Sequence, residues 1–441
     1  MLGDAIRAEG MTVAKMLATD AGPCEGDRKP EIWVVDEASM MGARDAEALL
    51  AQARAEGARL VLVGDVAQLG SVEAGRSFGQ LQDHGMATFR LDEIVRQSNA
   101  RTREAVEAML AGDAAKAFAA LDAGGGRVVE QPDTQTRQAI LARDFARLTR
   151  EERARTLVLD PTRQGRQELT DAIRAALVAD GTLGEDAMVA SVLESRDLTR
   201  PQARLATSYR PGDIVVFRKA ARGRPRAGVG HRVEAVDPAT GTVRLRPDKR
   251  PQQRAESKPI DWQPARWDAE VAEAFVEVPQ EFRAGDRVQF TRNNYRADRL
   301  NGQTAEVVAI DPEGSSLVLQ REDGRREMLD MRHLADRHLR PAWVRTIHSS
   351  QGATCDRVFA HLESFRANAI DARSVYVAIR RARIGAAVYT DSRANLTEAL
   401  GIRDGAQVGA IDEAMTAPEV AAATPAPVRA VGMAISGYQS F

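Results

Sequence analysis

Two short apolar runs ending in acids stand near the start of the chain, IWVVDEAS at 32–39 and LVLVGDVAQ at 60–68. Unbroken, valine-rich runs of this length predict strands buried on both faces of a parallel sheet. Between them Ala46, Leu49, Leu50 and Ala53 recur at i, i+3, i+4 and i+7, which places them on one face of a helix. The unit is strand, helix, strand, and both strands deliver polar residues at their carboxyl ends, where open α/β sheets bind ligands. The pattern returns as TLVLDPT (156–162), followed by a helix with Leu169, Ile173, Ala176 and Leu177 on one face. It returns again as VRTIHSSQG (344–352), RVFAHL (357–362) and AAVYTD (386–391), so a second α/β sheet is expected from residues 150–200 and 340–395.

The stretch between these parts alternates apolar and polar residues between turn signals. YRPGDIVVF (209–217), HRVEAVD (231–237), GTVRLRP (241–247), GDRVQFTRN (285–293), QTAEVVAID (303–311) and SLVLQRE (316–322) predict short antiparallel strands. The repeated PGD and AGD openings suggest small antiparallel, SH3-like β-barrels inserted into the second α/β domain. The expected layout is a partial first α/β domain at 1–95 and the first part of the second at 96–204. Inserted β modules follow at 205–340, the remainder of the second domain at 341–398, and a Pro/Ala/Thr-rich tail or linker without order at 399–441.

At 441 residues two or three domains are expected, and with 44% hydrophobic and 28% charged residues the composition is that of a globular chain. No apolar run approaches the roughly 18–20 residues that span a bilayer, and the first residues carry acids and no signal-like apolar core, so a cytoplasmic protein is expected. Cys24 and Cys355 are the two cysteines, too few for a disulfide scaffold or a four-cysteine metal site. The net charge of -2 neither requires nor forbids a nucleic-acid partner.

Asp36-Glu37 at the end of a buried strand suits a nucleotide hydrolase. One carboxylate holds Mg²⁺ and the next orients or deprotonates the attacking water. A helix cap with a solvated acid gives the same pattern. Gln68 ends the adjacent strand, where an amide can sense a γ-phosphate or simply belong to a turn. Arg96, in LDEIVRQ (91–97), and the run Arg380, Arg381 and Arg383 after Tyr376 can stabilise phosphate charge or form solvated surfaces. His348, Ser349, Ser350, Gln351 and Gly352 gather small polar groups suited to phosphate and sugar contacts. Arg218, Lys219, Arg222, Arg224, Arg226 and Arg232 lie between Ile214 and Val233 with no acid among them, either a phosphate-tracking loop or a solvated one. Trp262 and Trp267 can stack on bases or pack inside.

VVDEASMMG, LVLVGDVAQLGSVEAG, LDEIVRQ, TIHSSQGATCDRV and VYVAIRRAR, in this order, resemble motifs II to VI of superfamily 1, RecD-like helicases. Within that group the chain is most similar to the helicase part of MobF-type conjugative relaxases, through PTRQGRQELTDAIRAAL and the paired GD-initiated modules around WQPARW. The resemblance implies two RecA-like domains, a first that is incomplete and a second carrying the insertions, which close on ATP and Mg²⁺ while single-stranded DNA runs across them. It implies that Asp36 and Glu37 serve Mg²⁺ and water activation, that Gln68 contacts the γ-phosphate, and that Arg96 and Arg381 complete the site. Gln351 and Gly352 join the nucleotide contacts, and Thr162, His348, Ser350 and Gln351, with Arg218, Lys219 and Arg222, face DNA.

Two features depart from that pattern. None of the six lysines lies in GxxxxGK followed by Ser or Thr, the loop that cradles phosphates. The histidines are scattered and no Tyr precedes Tyr209, so a nicking centre is not encoded. The expectation is a portion of a longer protein whose phosphate loop and relaxase part precede Met1. Loss of the phosphate-loop strand should leave sheet edges open and the chain prone to association. The alternatives are a DNA-binding remnant without turnover and a RecD-like repair helicase.

Overall fold

The computed structural model describes residues 10–17, 31–68, 75–91, 94–218, 228–247, 258–267, 269–350, 355–366, 370–402 and 429–433. The chain divides into two compact units, Met1–Ile173 with Val344–Ser440, and Arg174–Trp343.

The first unit holds two parallel sheets among the described residues, in keeping with the α/β class expected. In the first sheet β1 (Glu31–Val35) pairs with β2 (Arg59–Leu62), and the helix Ala43–Glu56 connects them. Ala46, Leu49 and Ala53 of that helix are buried as their spacing requires, with Trp33 and Val35 in the same core, whereas Leu50 is 40% exposed. β2 also departs from the expectation of burial on both faces. Leu60 and Leu62 pack against the core, whereas Val61 and, just past the strand, Val63 point to the opposite face and are 41% and 44% exposed.

The second sheet has the order β16-β4-β17-β18-β3, all parallel. Its strands are β3 (Gly126–Glu130), β4 (Thr156–Leu159), β16 (Val344–Arg345), β17 (Cys355–His361) and β18 (Ala382–Thr390). The helices Ala100–Leu110 and Ala372–Ile379 bury apolar faces in its core with Val358, Ala386 and Val388. The strand expected to run into His348 stops at Arg345, and a 3-10 turn, His348–Ser350, follows. Gly126, at φ 151°, has no room for a side chain, because a Cβ there would lie 1.8 Å from the Ala386 carbonyl oxygen.

A strand also forms within the stretch read as tail. β19 (Arg429–Met433) pairs in parallel with β1, Glu31 opposite Arg429 through Val35 opposite Met433. It gives the edge of β1 that faces away from β2 a partner. The helix Arg393–Ile402 likewise runs past residue 398.

The second unit is antiparallel in its sheets. One has the order β5-β10-β6-β7-β8-β9 and the other β14-β13-β12-β11-β15. The first comprises β5 (Met188–Ser195), β6 (Ile214–Phe217), β7 (Gly230–Asp237), β8 (Thr242–Pro247), β9 (Ile260–Trp262) and β10 (Ala272–Phe282). The second comprises β11 (Arg287–Phe290), β12 (Thr304–Asp311), β13 (Ser316–Arg321), β14 (Arg326–Asp330) and β15 (Leu339–Pro341). The alternating runs read from the sequence all appear. β5, assigned there to the second α/β domain, instead pairs with β10 along eight residue pairs from Ser195 to Met188. Asp286 ties this unit internally, accepting two hydrogen bonds from Arg174 at 2.9 and 2.8 Å and one from the Trp343 indole at 3.1 Å. Among the described residues no helix is long and apolar enough to cross a membrane.

Two outcomes follow from this packing. Pro cannot donate to a ladder, so Val431→Pro should release β19 from β1 and raise self-association in sedimentation velocity; an unchanged distribution would count against an edge-covering strand. His338 is buried edge-on to Phe275 at 4.9 Å, and burial, with the Arg292 charge second, pushes its imidazole from 6.5 down to about 3. The unfolded chain therefore binds the proton better, so this contribution to stability is whole above pH 6.5 and is lost as pH falls toward 3. Thermal melts should show a shallower acid decline for His338→Phe than for the parent, and parallel declines would contradict this.

Candidate functional site

The carboxyl ends of β1 and β2 are held side by side beyond the strands themselves. The amide of Val63 donates to the Val35 carbonyl and that of Ala38 to the Val63 carbonyl, both at 2.8 Å. Gly64 permits this approach, since a Cβ there would lie 3.0 Å from the Ser39 nitrogen and 3.1 Å from the Phe78 ring. Asp36 and Glu37 emerge where the β1 backbone leaves the sheet, and Asp36 Oδ1 accepts from the Glu37 amide at 2.9 Å. Glu37 has φ 52° and ψ 38°, the left-handed region that non-glycine residues rarely enter. Such strain costs about 1–3 kcal/mol and collects at working sites. Burial raises the Glu37 carboxyl above its usual range, against the opposing charge of Arg381.

At the end of β2, Asp65 shapes a turn in which its Oδ1 accepts from the Ala67 amide at 2.9 Å. The Gln68 amide closes that turn on the Asp65 carbonyl at 3.1 Å. The other carboxylate oxygen of Asp65 pairs with the Arg380 guanidinium. Beside it, Arg381 Nη2 donates to Gln68 Oε1 at 3.3 Å, and both side chains are buried. Ends of both sheets therefore meet within the first unit.

The arginines are positioned from a third segment. Gln97 Nε2 donates to the carbonyls of Arg380, at 2.8 Å, and Ala382, at 3.0 Å, while the Ser98 amide donates to the Arg383 carbonyl at 2.9 Å. These bonds fix the turn after the helix Ala372–Ile379, so Arg380 and Arg381 leave its end and do not lie along its face. Arg380 also lies over the Tyr376 ring, 5.1 Å from its centroid. Arg383 is the solvated member of the run, half-exposed and paired with Asp356.

Burial and then the charges of Arg96 and Arg380 push Arg381 from 12.5 down to about 10. Arg96 is lowered by burial and then by Arg380, and raised by Glu37. Its Nη1 is buried and has no hydrogen-bond partner among the described residues. Arg96 and Arg381, both lowered and one with an unfilled donor, lie beside Arg380 and make an arrangement that an anion such as polyphosphate has the charge and acceptors to fill. Cys355 belongs to the frame: burial pushes its thiol up to about 12, and it donates to the Arg381 carbonyl at 3.4 Å.

A second polar cluster sits at the carboxyl ends of β4 and β17. Asp160 Oδ1 accepts from the Thr162 amide at 2.7 Å and its hydroxyl at 2.9 Å, and Arg366 donates to that hydroxyl at 2.9 Å. Asp160 Oδ2 lies 2.8 Å from His361 Nδ1, and Arg137 Nε donates to His361 Nε2 at 3.1 Å. This assigns the proton to Nδ1. Arg137 then pairs with Glu363, and Arg137, Asp160, His361 and Glu363 are each at most 1% exposed. Sequence reasoning proposed Thr162 but missed what holds it. The available signal was a polar residue directly following each apolar run, in LVLDPT and FAHLES.

Of the other proposed residues, Ser350 is buried and its hydroxyl donates to the Ile347 carbonyl at 2.6 Å. Arg218 is exposed at the start of the basic loop, 3.4 Å from Glu273. Gln351, Gly352, Lys219, Arg222 and the His348 side chain lie outside the described residues.

Residues 1–133 match an AAA domain family model. The chain is 25% identical over 411 residues to the multifunctional conjugation protein TraI of Escherichia coli strain K12, covering 84% of this chain and 22% of TraI. It is 29% identical over 210 residues to the conjugal transfer protein TraA of Agrobacterium fabrum, covering 46% of this chain and 18% of TraA. The chain thus spans about a fifth of the length of these relatives. Among solved structures, a Bacteroides Pif1 bound to ssDNA is 14% identical with a TM-score of 0.43, over 89% of this chain and 82% of that one. The chain is thus similar to an AAA domain over its first 133 residues and, over most of its length, to a part of a conjugation protein.

Proposed function

We propose that this chain is the hydrolysis and DNA-handling part of an ATP-driven motor on single-stranded DNA, a translocase or helicase working with a relaxase in conjugative transfer. The observation that carries this reading is the convergence of Glu37, Gln68, Arg96 and Arg381 from both sheets of the first unit, with Asp65 and Arg380 paired beside them.

In this reading Asp36 holds Mg²⁺, which when bound neutralises phosphate charge. Glu37 takes the proton of the attacking water, a role favoured by a carboxyl whose burial raises its basicity. Gln68 contacts the γ-phosphate. Arg381 donates to Gln68 Oε1, which orients the amide and leaves its Nε2 donor for a phosphate oxygen. Arg96 and Arg381 stabilise the charge that develops, and Gln351 and Gly352 add nucleotide contacts. DNA contacts are assigned to Thr162, His348 and Gln351 on the first unit and, separately, to Arg218, Lys219 and Arg222 on the second, whereas Ser350, buried and bonded to the Ile347 carbonyl, supports its turn and does not touch the strand. The sequence contains no GxxxxGK, so this reading requires a phosphate loop that these 441 residues do not encode.

The test is phosphate release with Mg²⁺, with and without single-stranded DNA, by this chain and by a polypeptide joining it to a GxxxxGK loop. The joined form should show DNA-stimulated turnover that Glu37→Gln lowers by about 100-fold or more, and the chain alone should stay at background. The acid limb of the rate profile should lie above the ordinary carboxyl value of 4.5, because the base works only when deprotonated and burial raises its pKa. Turnover unaffected by Glu37→Gln would remove Glu37 from the chemistry, and DNA-stimulated turnover by the chain alone would show that the missing loop is not required.

A further inference from the structure

One face of the second sheet carries a groove of about 470 Å³ that neither the phosphate site nor the Thr162 turn uses. It is left where the helix Thr134–Ala146 ends. Phe145, in the last turn of that helix, packs edge-on against Phe359 of β17 at 6.5 Å, and the Leu148 amide closes the next turn on the Phe145 carbonyl at 3.1 Å. In the register of β17 with β18, Phe359 lies opposite Ala387 and Arg357 opposite Gly385, so each large residue has a small neighbour and the face stays unfilled. Leu148 and Ile384, the latter 37% exposed, add apolar walls. The polar side chains of the lining are satisfied with one exception. Asn99 caps the helix Ala100–Leu110 and donates to the Gly124 carbonyl at 2.9 Å, Arg127 pairs with Asp144 at 2.6 Å, and Arg357 pairs with Glu152 at 3.0 Å. Arg147 is exposed, and its guanidinium has no hydrogen bond or ion pair among the described residues. Three guanidiniums, of Arg127, Arg147 and Arg357, thus stand in the lining with one carboxylate, that of Asp144.

We infer that this groove docks an acidic segment of a partner polypeptide, a large apolar side chain filling the space over Phe359 and a neighbouring carboxylate meeting Arg147. The inference stands apart from the reading of the chain as a motor, because none of these residues belongs to its phosphate or DNA contacts. A bare inorganic anion satisfies Arg147 and leaves the apolar floor and walls uncovered. A nucleic-acid base finds no platform, since Phe359 is 7% exposed and enclosed by the Phe145 and Tyr389 rings. A basic segment meets the surplus of positive charge. An apolar group joined to an anion satisfies floor and rim together, and an acidic segment with one large apolar residue supplies both from one chain.

The experiment is fluorescence polarisation of the full chain with a labelled peptide of aspartates and glutamates around a central Leu-Phe pair. One control peptide has Gly-Gly in place of that pair, and another has lysines in place of the acids. The parent should bind the first peptide about ten-fold or more tightly than either control. Arg147→Glu and Ile384→Asp, both at positions open to solvent, should each weaken it about five-fold, and added salt should weaken the parent more than Arg147→Glu. The control peptides on the parent keep the test informative if a variant disturbs folding, which far-UV circular dichroism checks. Absence of binding by the parent, equal binding of the Gly-Gly peptide, or parent-like binding by either folded variant overturns the site. Displacement of the peptide by dodecanoate as readily as by unlabelled peptide shows a pocket for a small apolar anion, and displacement by oligo-dT to the same degree shows a nucleic-acid surface; either result likewise overturns it.

Discussion

The pairing of Asp65 with Arg380, and of Gln68 with Arg381 beside it, is the constraint on which the site depends. It joins the end of β2 to the turn before β18, so one strand-end of each sheet becomes a wall of the same site. Guanidiniums this close repel and lose hydration, and the cost is bearable only where carboxylates and hydrogen bonds hold them. Gln97 contributes by gripping the backbone on either side of Arg381. Asp65 neutralises Arg380, which leaves Arg96 and Arg381 to face Glu37 and whatever anion enters.

The cluster around Asp160 and His361 solves a different problem with the same means. Polar groups at the end of a central strand are buried there, and each has a hydrogen-bond partner: Asp160 in His361, His361 in Arg137, Arg137 in Glu363. Removing one member would strand its neighbour without water, so the cluster fixes the Thr162 turn as a rigid edge. Gly165 completes the fit, for a Cβ there would lie 2.3 Å from Asp160 Oδ2.

The sequence disclosed most of the strands that carry chemistry, because apolar runs ending in acids are a local signal. The proposal of Asp36, Glu37 and Gln68 rests on the same signal, and in the structure Arg381 donates to Gln68. Partners chosen by tertiary contact were not legible. Nothing near Gln97 in the chain indicates that its amide will hold residues some 280 positions away. The pairing of β5 with β10 was missed because a strand's partner is set by sheet topology, which alternation does not encode. β19 was missed because its Ala- and Pro-rich surroundings hide a short run whose partner, β1, lies almost 400 residues earlier. Exposure of Val61 and Val63 was not legible because it depends on which face of β2 is covered, a property of the packing.

In the proposed motor Arg96 and Arg381, with Arg380 held by Asp65 beside them, receive the phosphate anion. Isothermal titration of the chain joined to a GxxxxGK loop with a non-hydrolysable ATP analogue and Mg²⁺ measures this, with Arg381→Ala in the same polypeptide beside it and circular dichroism to confirm folding of both. The parent should bind saturably and the variant at least ten-fold more weakly. Absence of binding by the folded parent, or equal affinity in the two chains, would contradict it.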